Sequence, residues 1–83
     1  MKVQIRYFAS VREALATSGE TVETAASTLA ALRDELIARG GAYATALARG
    51  KAVRMALDQV MSDEAASLRD GAEVAFFPPV TGG

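Results

Sequence analysis

A stripe of leucines with helical spacing is the feature that most constrains how this chain can fold. Leu29, Leu32 and Leu36 recur every three or four residues, and Ile37 widens the same stripe. The pattern predicts an amphipathic helix, and such a helix must bury its apolar side against another element. The rest of the chain therefore has to supply a complementary apolar surface.

The flanks of this helix carry the expected start and stop signals. Ser27 or Thr28 is suited to cap the first turn, and Arg39 is expected in the last turn, where a cation complements the helix dipole. Gly40-Gly41 then supplies the stop. These signals make this the main helix of the fold.

Segments with two-residue alternation provide the surface that the helix needs. In the first of them, Val3, Ile5 and Tyr7 face one side and polar residues face the other, as in a half-buried strand. Further strands are predicted at 20–25, 53–57, 60–61 and 73–77, with turns at Asp58-Gln59 and Asp70-Gly71. Short helices are predicted after Ser10, through a capping box with Glu13, and over 42–49.

One mixed sheet with the main helix across one face is the simplest arrangement that buries the leucine stripe. This α+β arrangement is a β-grasp, and its length of 83 residues suits a single domain. We expect the domain to span residues 1–78 and to be followed by an extended tail over 79–83. The net charge of −1 argues against non-specific binding of nucleic acid.

Side chains offer little for catalysis. The chain has no cysteine and no histidine, which removes thiolate chemistry and the commonest general base and metal ligand. Its ten acidic residues are scattered over caps, turns and polar faces, and we interpret them as solvated charges. We therefore expect no metal site and no catalytic side chain.

The C-terminal segment is the strongest candidate for function. Pro78 and Pro79 end the last strand because neither can donate a ladder hydrogen bond, and Val80-Thr81-Gly82-Gly83 follow. The five residues after Pro78 could extend about 17 Å at 3.3 Å each. Glycines beside the carboxylate would let this tail enter a narrow tunnel in another protein, although a frayed end is the alternative.

An aromatic pair precedes this tail. Alternation sends Phe76 to the helix-covered face and Phe77 to the open face, where Phe8 also breaks the alternation of the first strand. With Val60 and Pro78, these residues would form an exposed apolar patch typical of an interface. Coverage of the patch by loops is the alternative.

These residues resemble the small subunit of molybdopterin synthase, the MoaD family of ubiquitin-like sulfur carriers. The similarity lies in three segments, which are the final run 76–83, the first strand and turn 7–13, and the turn 68–74 before the last strand. The resemblance implies that an ATP-dependent enzyme adenylates Gly83 and that a sulfur donor converts it to a thiocarboxylate (1-thioglycine). That group would donate sulfur to cyclic pyranopterin monophosphate in molybdenum cofactor biosynthesis.

The resemblance also implies the partners. They are the adenylating enzyme and the large synthase subunit, in a heterotetramer of two small and two large subunits, with no permanently bound cofactor. Three other functions remain open: a sulfur carrier for thiamine or tRNA thiolation, a ubiquitin-like protein modifier, and an interaction module with an inert tail. Because no export signal or membrane span is recognisable, we expect a cytoplasmic protein without membrane contact.

Overall fold

The computed structural model describes residues 1–79. These residues form five strands and three helices in the order β1 (Lys2–Tyr7), α1 (Ala9–Leu15), β2 (Gly19–Glu23), α2 (Leu29–Ile37), α3 (Gly41–Ala46), β3 (Arg54–Leu57), β4 (Val60–Ser62) and β5 (Glu73–Phe77). The strands make one mixed sheet in the order β2-β1-β5-β3-β4. The β1–β5 pair is parallel, whereas the other three neighbouring pairs are antiparallel.

The core lies between one face of this sheet and the helices. Val3, Ile5 and Tyr7 of β1 are at most 2% exposed, as the alternation predicts. The leucine stripe of α2 is equally buried, with all three leucines at most 1% exposed. The predicted packing of one main helix across one face of a mixed sheet is therefore confirmed. None of the helices within residues 1–79 is long and apolar enough to cross a membrane.

The starts of the two longer helices differ in how well the sequence predicted them. Thr28 caps α2, since its hydroxyl oxygen accepts a hydrogen bond from the Ala31 N–H at 3.2 Å. The capping box predicted for α1 is wrong. Phe8 is the N-cap residue, and Ser10 lies inside the first turn, where its side chain cannot cap the helix. The reason is that the helix begins directly where β1 ends.

The end of α2 also differs from the prediction. Gly40 and Gly41 both have positive φ and end the helix as expected, but α2 stops at Ile37, so Arg39 is not in its last turn. The Arg39 guanidinium instead contacts Glu20 at 2.9 Å and lies 4.8 Å from the centre of the Tyr43 ring. Arg39 therefore joins the segment after α2 to the edge strand β2.

Glu20 is the centre of a polar cluster at that edge. Its carboxylate accepts hydrogen bonds from the hydroxyls of Tyr7 at 2.9 Å and Tyr43 at 2.6 Å, besides the contact with Arg39. Burial alone would raise the pKa of Glu20, but the hydrogen bonds from Tyr43, Arg39 and Tyr7 outweigh it and lower that pKa. Burial and the bond to Glu20 raise the pKa of Tyr7.

We expect Glu20→Gln to reduce the free energy of unfolding by roughly 1–2 kcal/mol at pH 7, because charge-assisted hydrogen bonds are lost. The folded-state pKa of Glu20 is lowered, so its stabilisation is present above the unfolded pKa and disappears as pH falls through the folded value. The difference between the two proteins should therefore shrink on acidification. Denaturant unfolding between pH 7 and pH 3 would measure it, with the exposed Glu13→Gln as control. A difference independent of pH would contradict the prediction.

A buried arginine holds the segment that follows α3. Arg33 of α2 is 4% exposed and donates hydrogen bonds to the backbone carbonyls of Leu47 and Ala48, each at 2.8 Å, and of Lys51 at 3.2 Å. The Arg33 guanidinium also forms an ion pair with the Glu64 carboxylate at 2.8 Å. These bonds fix the path of the chain into β3, which is one of the strands that form the open face of the sheet.

Candidate functional site

The last strand leads directly into the C-terminal segment. β5 ends at Phe77, as predicted, and Pro78-Pro79 follow it. The Phe8 N–H donates a hydrogen bond to the Phe76 carbonyl at 3.1 Å, which holds the end of β1 against the end of β5. The candidate tail residues Val80, Thr81, Gly82 and Gly83 lie outside the described residues, so their predicted role stays a prediction.

An apolar depression occupies the open face of the sheet at this end. Phe8 and Phe77 line it together with Met61, over a floor of Ala56 and Ala75, and its volume is about 530 Å³. Phe8 is 44% exposed and Met61 is 59% exposed, so large apolar side chains face outward here. We call Phe8, Phe77, Met61, Ala56 and Ala75 the open-face patch.

Two of the four residues predicted for the interface, Phe8 and Phe77, lie together in this depression. The prediction for Val60 is wrong, because Val60 lies on the other face of the sheet. Leu57 pairs with Val60 and with Val74, which is fully buried, so Val60 lies on the helix-covered side of the sheet. Met61 pairs with Ala56 and takes the place on the open face. A shift of one residue along a strand moves each of its side chains to the opposite face of the sheet. An error of one position therefore assigned Val60 to the wrong face.

A signal for Met61 was present in the sequence. Asp58 and Gln59, predicted as a turn, both have positive φ, as in the tight two-residue hairpin turns. In such a hairpin the residues directly before and after the turn face each other. That register assigns Val60 to the face of Leu57 and Met61 to the opposite face.

Pro78 does not join the open-face patch. It lines a separate, smaller cleft together with α1, through Ser10 and Ala14, and with Ala52 and Val53 before β3. The chain therefore leaves the sheet between α1 and β3, beside the patch but not across it. Phe77 is thus part of the open-face patch, whereas the next residue, Pro78, lies in the separate cleft beside α1.

The polar side chains that lie close together within residues 1–79 are engaged in holding the fold. Among residues 1–79, no three acidic side chains are grouped closely enough to hold a metal ion. The partly buried ionisable clusters around Glu20 and Arg33 are engaged in hydrogen bonds that hold secondary-structure elements together. What the arrangement offers is an exposed apolar surface next to the start of the C-terminal segment.

Comparisons with known proteins agree with this architecture. The chain is 41% identical over 81 residues to the molybdopterin synthase sulfur carrier subunit of Escherichia coli, covering 98% of this chain and 99% of that protein. A complex of subunits 1 and 2 of molybdopterin-converting factor from Helicobacter pylori contains a similar chain, with 25% identity, a TM-score of 0.70 and full coverage of both chains.

A third similarity concerns the fold alone. Small archaeal modifier protein 1 of H. volcanii has 19% identity and a TM-score of 0.76, with 95% of this chain and 98% of that one covered. Its likeness confirms the ubiquitin-like β-grasp. Residues 5–83 match the ThiS family. This match, together with 41% identity to the E. coli subunit over nearly the whole of both chains, shows that the chain belongs to the ThiS family of sulfur carrier proteins.

Proposed function

We propose that the chain is the sulfur carrier subunit of molybdopterin synthase. The observation that carries the proposal is the 41% identity to the E. coli subunit of that name along nearly the whole of both chains. The fold supports it, because the final strand delivers the C-terminal segment beside an exposed apolar patch. A carrier needs a docking surface and a reactive end, and it needs no catalytic side chains of its own.

The reactive group in this proposal is the carboxylate of Gly83. A carboxylate is a poor acyl donor because its negative charge opposes nucleophilic attack. An adenylating enzyme would join it to the adenylyl group of ATP with release of pyrophosphate, and a sulfur donor would then displace AMP to leave a thiocarboxylate. No resident cofactor takes part.

The large synthase subunit is the partner that would receive the tail and supply the catalytic groups. Sulfur would pass there to cyclic pyranopterin monophosphate, and two carriers in turn would complete the dithiolene. The H. pylori complex, which joins subunits 1 and 2 of molybdopterin-converting factor, supports a partner of this kind. The heterotetramer and the adenylating enzyme belong to the same proposal, with Phe8 and Phe77 as the docking residues.

The chain purified from cells that make molybdenum cofactor is expected to contain a species heavier by about 16 mass units, the difference between sulfur and oxygen. Intact-mass spectrometry would detect it, and tandem fragmentation would place the added mass at Gly83. As a control, the same chain from cells lacking the adenylating enzyme should show only the unmodified mass. Absence of the heavier species under both conditions would contradict the proposal.

Sulfur carriage for another pathway is the second candidate, and it is favoured by the match of residues 5–83 to the ThiS family. Incubation with each candidate adenylating enzyme would separate the two, since thiocarboxylate should form fastest with the cognate enzyme. A protein modifier would instead form isopeptide-linked conjugates, visible on a denaturing gel.

A further inference from the structure

The cleft beside α1, where the chain leaves the sheet, has two walls that are built differently. One wall is α1 itself, a helix whose Val11 is 4% exposed and anchored in the core. The other wall consists of residues 51–53, and Pro78 lines the same cleft. This second wall belongs to the segment 47–53, which lies between the end of α3 and the start of β3 and is part of neither.

Arg33 of α2 holds the segment 47–53 in place. Its guanidinium donates hydrogen bonds to the carbonyls of Leu47, Ala48 and Lys51. The fully buried side chain of Leu47 anchors the start of the segment, and Val53 packs against the core at its end. Between these two anchors, the path of the backbone depends on the hydrogen bonds from Arg33.

The contact that the segment itself makes back to α2 is weaker. Arg49 donates hydrogen bonds to the Ala30 carbonyl and to the carboxylates of Asp34 and Glu64, but its side chain is 41% exposed. Exposed ion pairs contribute little, because water screens them. Arg33 is 4% exposed, and loss of a buried donor would leave the carbonyls that it binds without a partner, which costs more.

We infer that Arg33 is a positioning residue for sulfur transfer, because it holds the wall of the cleft that sets the direction of the chain after Pro78. This inference rests on the proposed function. Proline has a fixed φ, so a change of direction at Pro78 is passed on through Pro79. A tilt of about 10° would displace the end of an extended five-residue chain, about 17 Å long, by about 3 Å. Displacements of this size decide whether reacting atoms meet.

Arg33 is expected to affect sulfur transfer and not docking. Its polar partners among the described residues are Leu47, Ala48, Lys51 and Glu64. None of them belongs to the open-face patch, so the affinity for the large subunit should be kept. A residue with only a structural role would change the fraction of folded chain, which alters the yield of the reaction but not its rate constant at saturation.

The test is single-turnover transfer of sulfur to cyclic pyranopterin monophosphate from the full-length chain with a chemically installed thiocarboxylate, under an excess of the large subunit. Arg33→Lys keeps the charge but lacks the planar fork that reaches three carbonyls. We expect its rate constant at saturation to fall about tenfold or more, and the half-saturating concentration of the large subunit to stay within about twofold. Hydrogen exchange of the Lys51 N–H, which donates to the Ala48 carbonyl at 2.8 Å, should accelerate as the segment loosens.

Two further variants complete the test. Ala52→Gly loosens the same wall without altering Arg33, because glycine gives the backbone more freedom, and it should lower the rate constant at saturation about threefold. Thr24→Val is the matched control. Thr24 is buried like Arg33, at 6% exposed, but its hydroxyl bonds Glu35 and the Ala26 N–H, away from the cleft. Its rate constant at saturation should be unchanged even where its stability falls.

The outcomes separate the inference from the proposed function. If the unaltered chain transfers sulfur and Arg33→Lys keeps its rate constant at saturation, the inference is overturned and the proposed function stands. The same holds if exchange at Lys51 does not accelerate, or if Thr24→Val slows transfer as much as Arg33→Lys. If Arg33→Lys does not fold, Ala52→Gly decides, and an unchanged rate constant overturns the inference. If the unaltered thiocarboxylated chain transfers no sulfur, both are overturned.

Discussion

Deletion of Gly83 is expected to abolish sulfur transfer while leaving the fold intact. In a synthase reconstituted from this chain, the large subunit, the adenylating enzyme with ATP, a sulfur donor and cyclic pyranopterin monophosphate, the shortened chain should lose at least about a thousandfold in rate. The loss follows from reach, because removing one extended residue withdraws the terminal carboxylate by about 3.4 Å. Reacting atoms must approach within about 3–3.5 Å, and misplacement by 1 Å can cost a hundredfold.

Stability should not change, because the core closes without this residue. All large, fully buried side chains of the described part lie between Val3 and Phe76. We therefore expect the thermal unfolding midpoint of the shortened chain to agree with that of the unaltered chain to within about 1 °C. A fold that melted earlier would indicate that the tail contributes to stability, which the proposed role does not require.

A second preparation distinguishes failed activation from failed transfer. A thiocarboxylate can be installed chemically on both chains through an intein, which bypasses the adenylating enzyme. If the shortened chain still transfers no sulfur, the length of the tail matters inside the large subunit. Transfer above a tenth of the normal rate by the shortened chain would contradict the assignment of Gly83 as the carrier residue.

The sequence predicted those parts of the fold that depend on local periodicity. The alternation around Val3, Ile5 and Tyr7 and the stripe of Leu29, Leu32 and Leu36 each determine one buried face, and burial of apolar area is the dominant stabilising contribution. The limits of β5 were likewise predictable, because Gly71 and Pro78 bracket it. These elements follow from near neighbours in the chain.

Contacts between distant residues were not predictable in this way. Arg39 has the right position and charge for the last turn of a helix, yet its partner Glu20 is an edge-strand residue that only the folded sheet brings near. Arg33 reads as a solvated helix residue, but it is buried because three backbone carbonyls beyond α3 need donors. No periodicity signals either contact.

The misplacement of Val60 shows how small a local error can be and still change a functional prediction. Two of the residues predicted for the interface, Phe8 and Phe77, do share one depression. The error lay in the register of a three-residue strand at the edge of the sheet. In the structure Met61, and not Val60, lies on the open face. Variants at these two neighbouring residues therefore form a matched pair for testing the docking surface.

Phe77→Ala and Met61→Ala are each expected to weaken binding of the large subunit, whereas Val60→Ala should not. For Phe77→Ala we expect an increase of about 10–100-fold in Kd, corresponding to about 1.4–2.8 kcal/mol, the usual range for an aromatic residue at the centre of an interface. Met61 is a smaller contributor at the rim, and about fivefold is expected. Isothermal titration calorimetry with the large subunit would measure all three.

Val60→Ala is the informative control because Val60 is at least as exposed as Met61, at 65% against 59%, and is its neighbour in the chain. The two differ in the face of the sheet they occupy, so a general effect of losing exposed apolar surface would appear in both.

Phe77 is half-buried, and its removal should also lower the free energy of unfolding by about 1–2 kcal/mol, less than for a fully buried phenylalanine. Unfolding must therefore be measured beside binding. If Val60→Ala weakened binding as much as Met61→Ala, or if Phe77→Ala left Kd unchanged, the docking surface would have to lie elsewhere than on the open face.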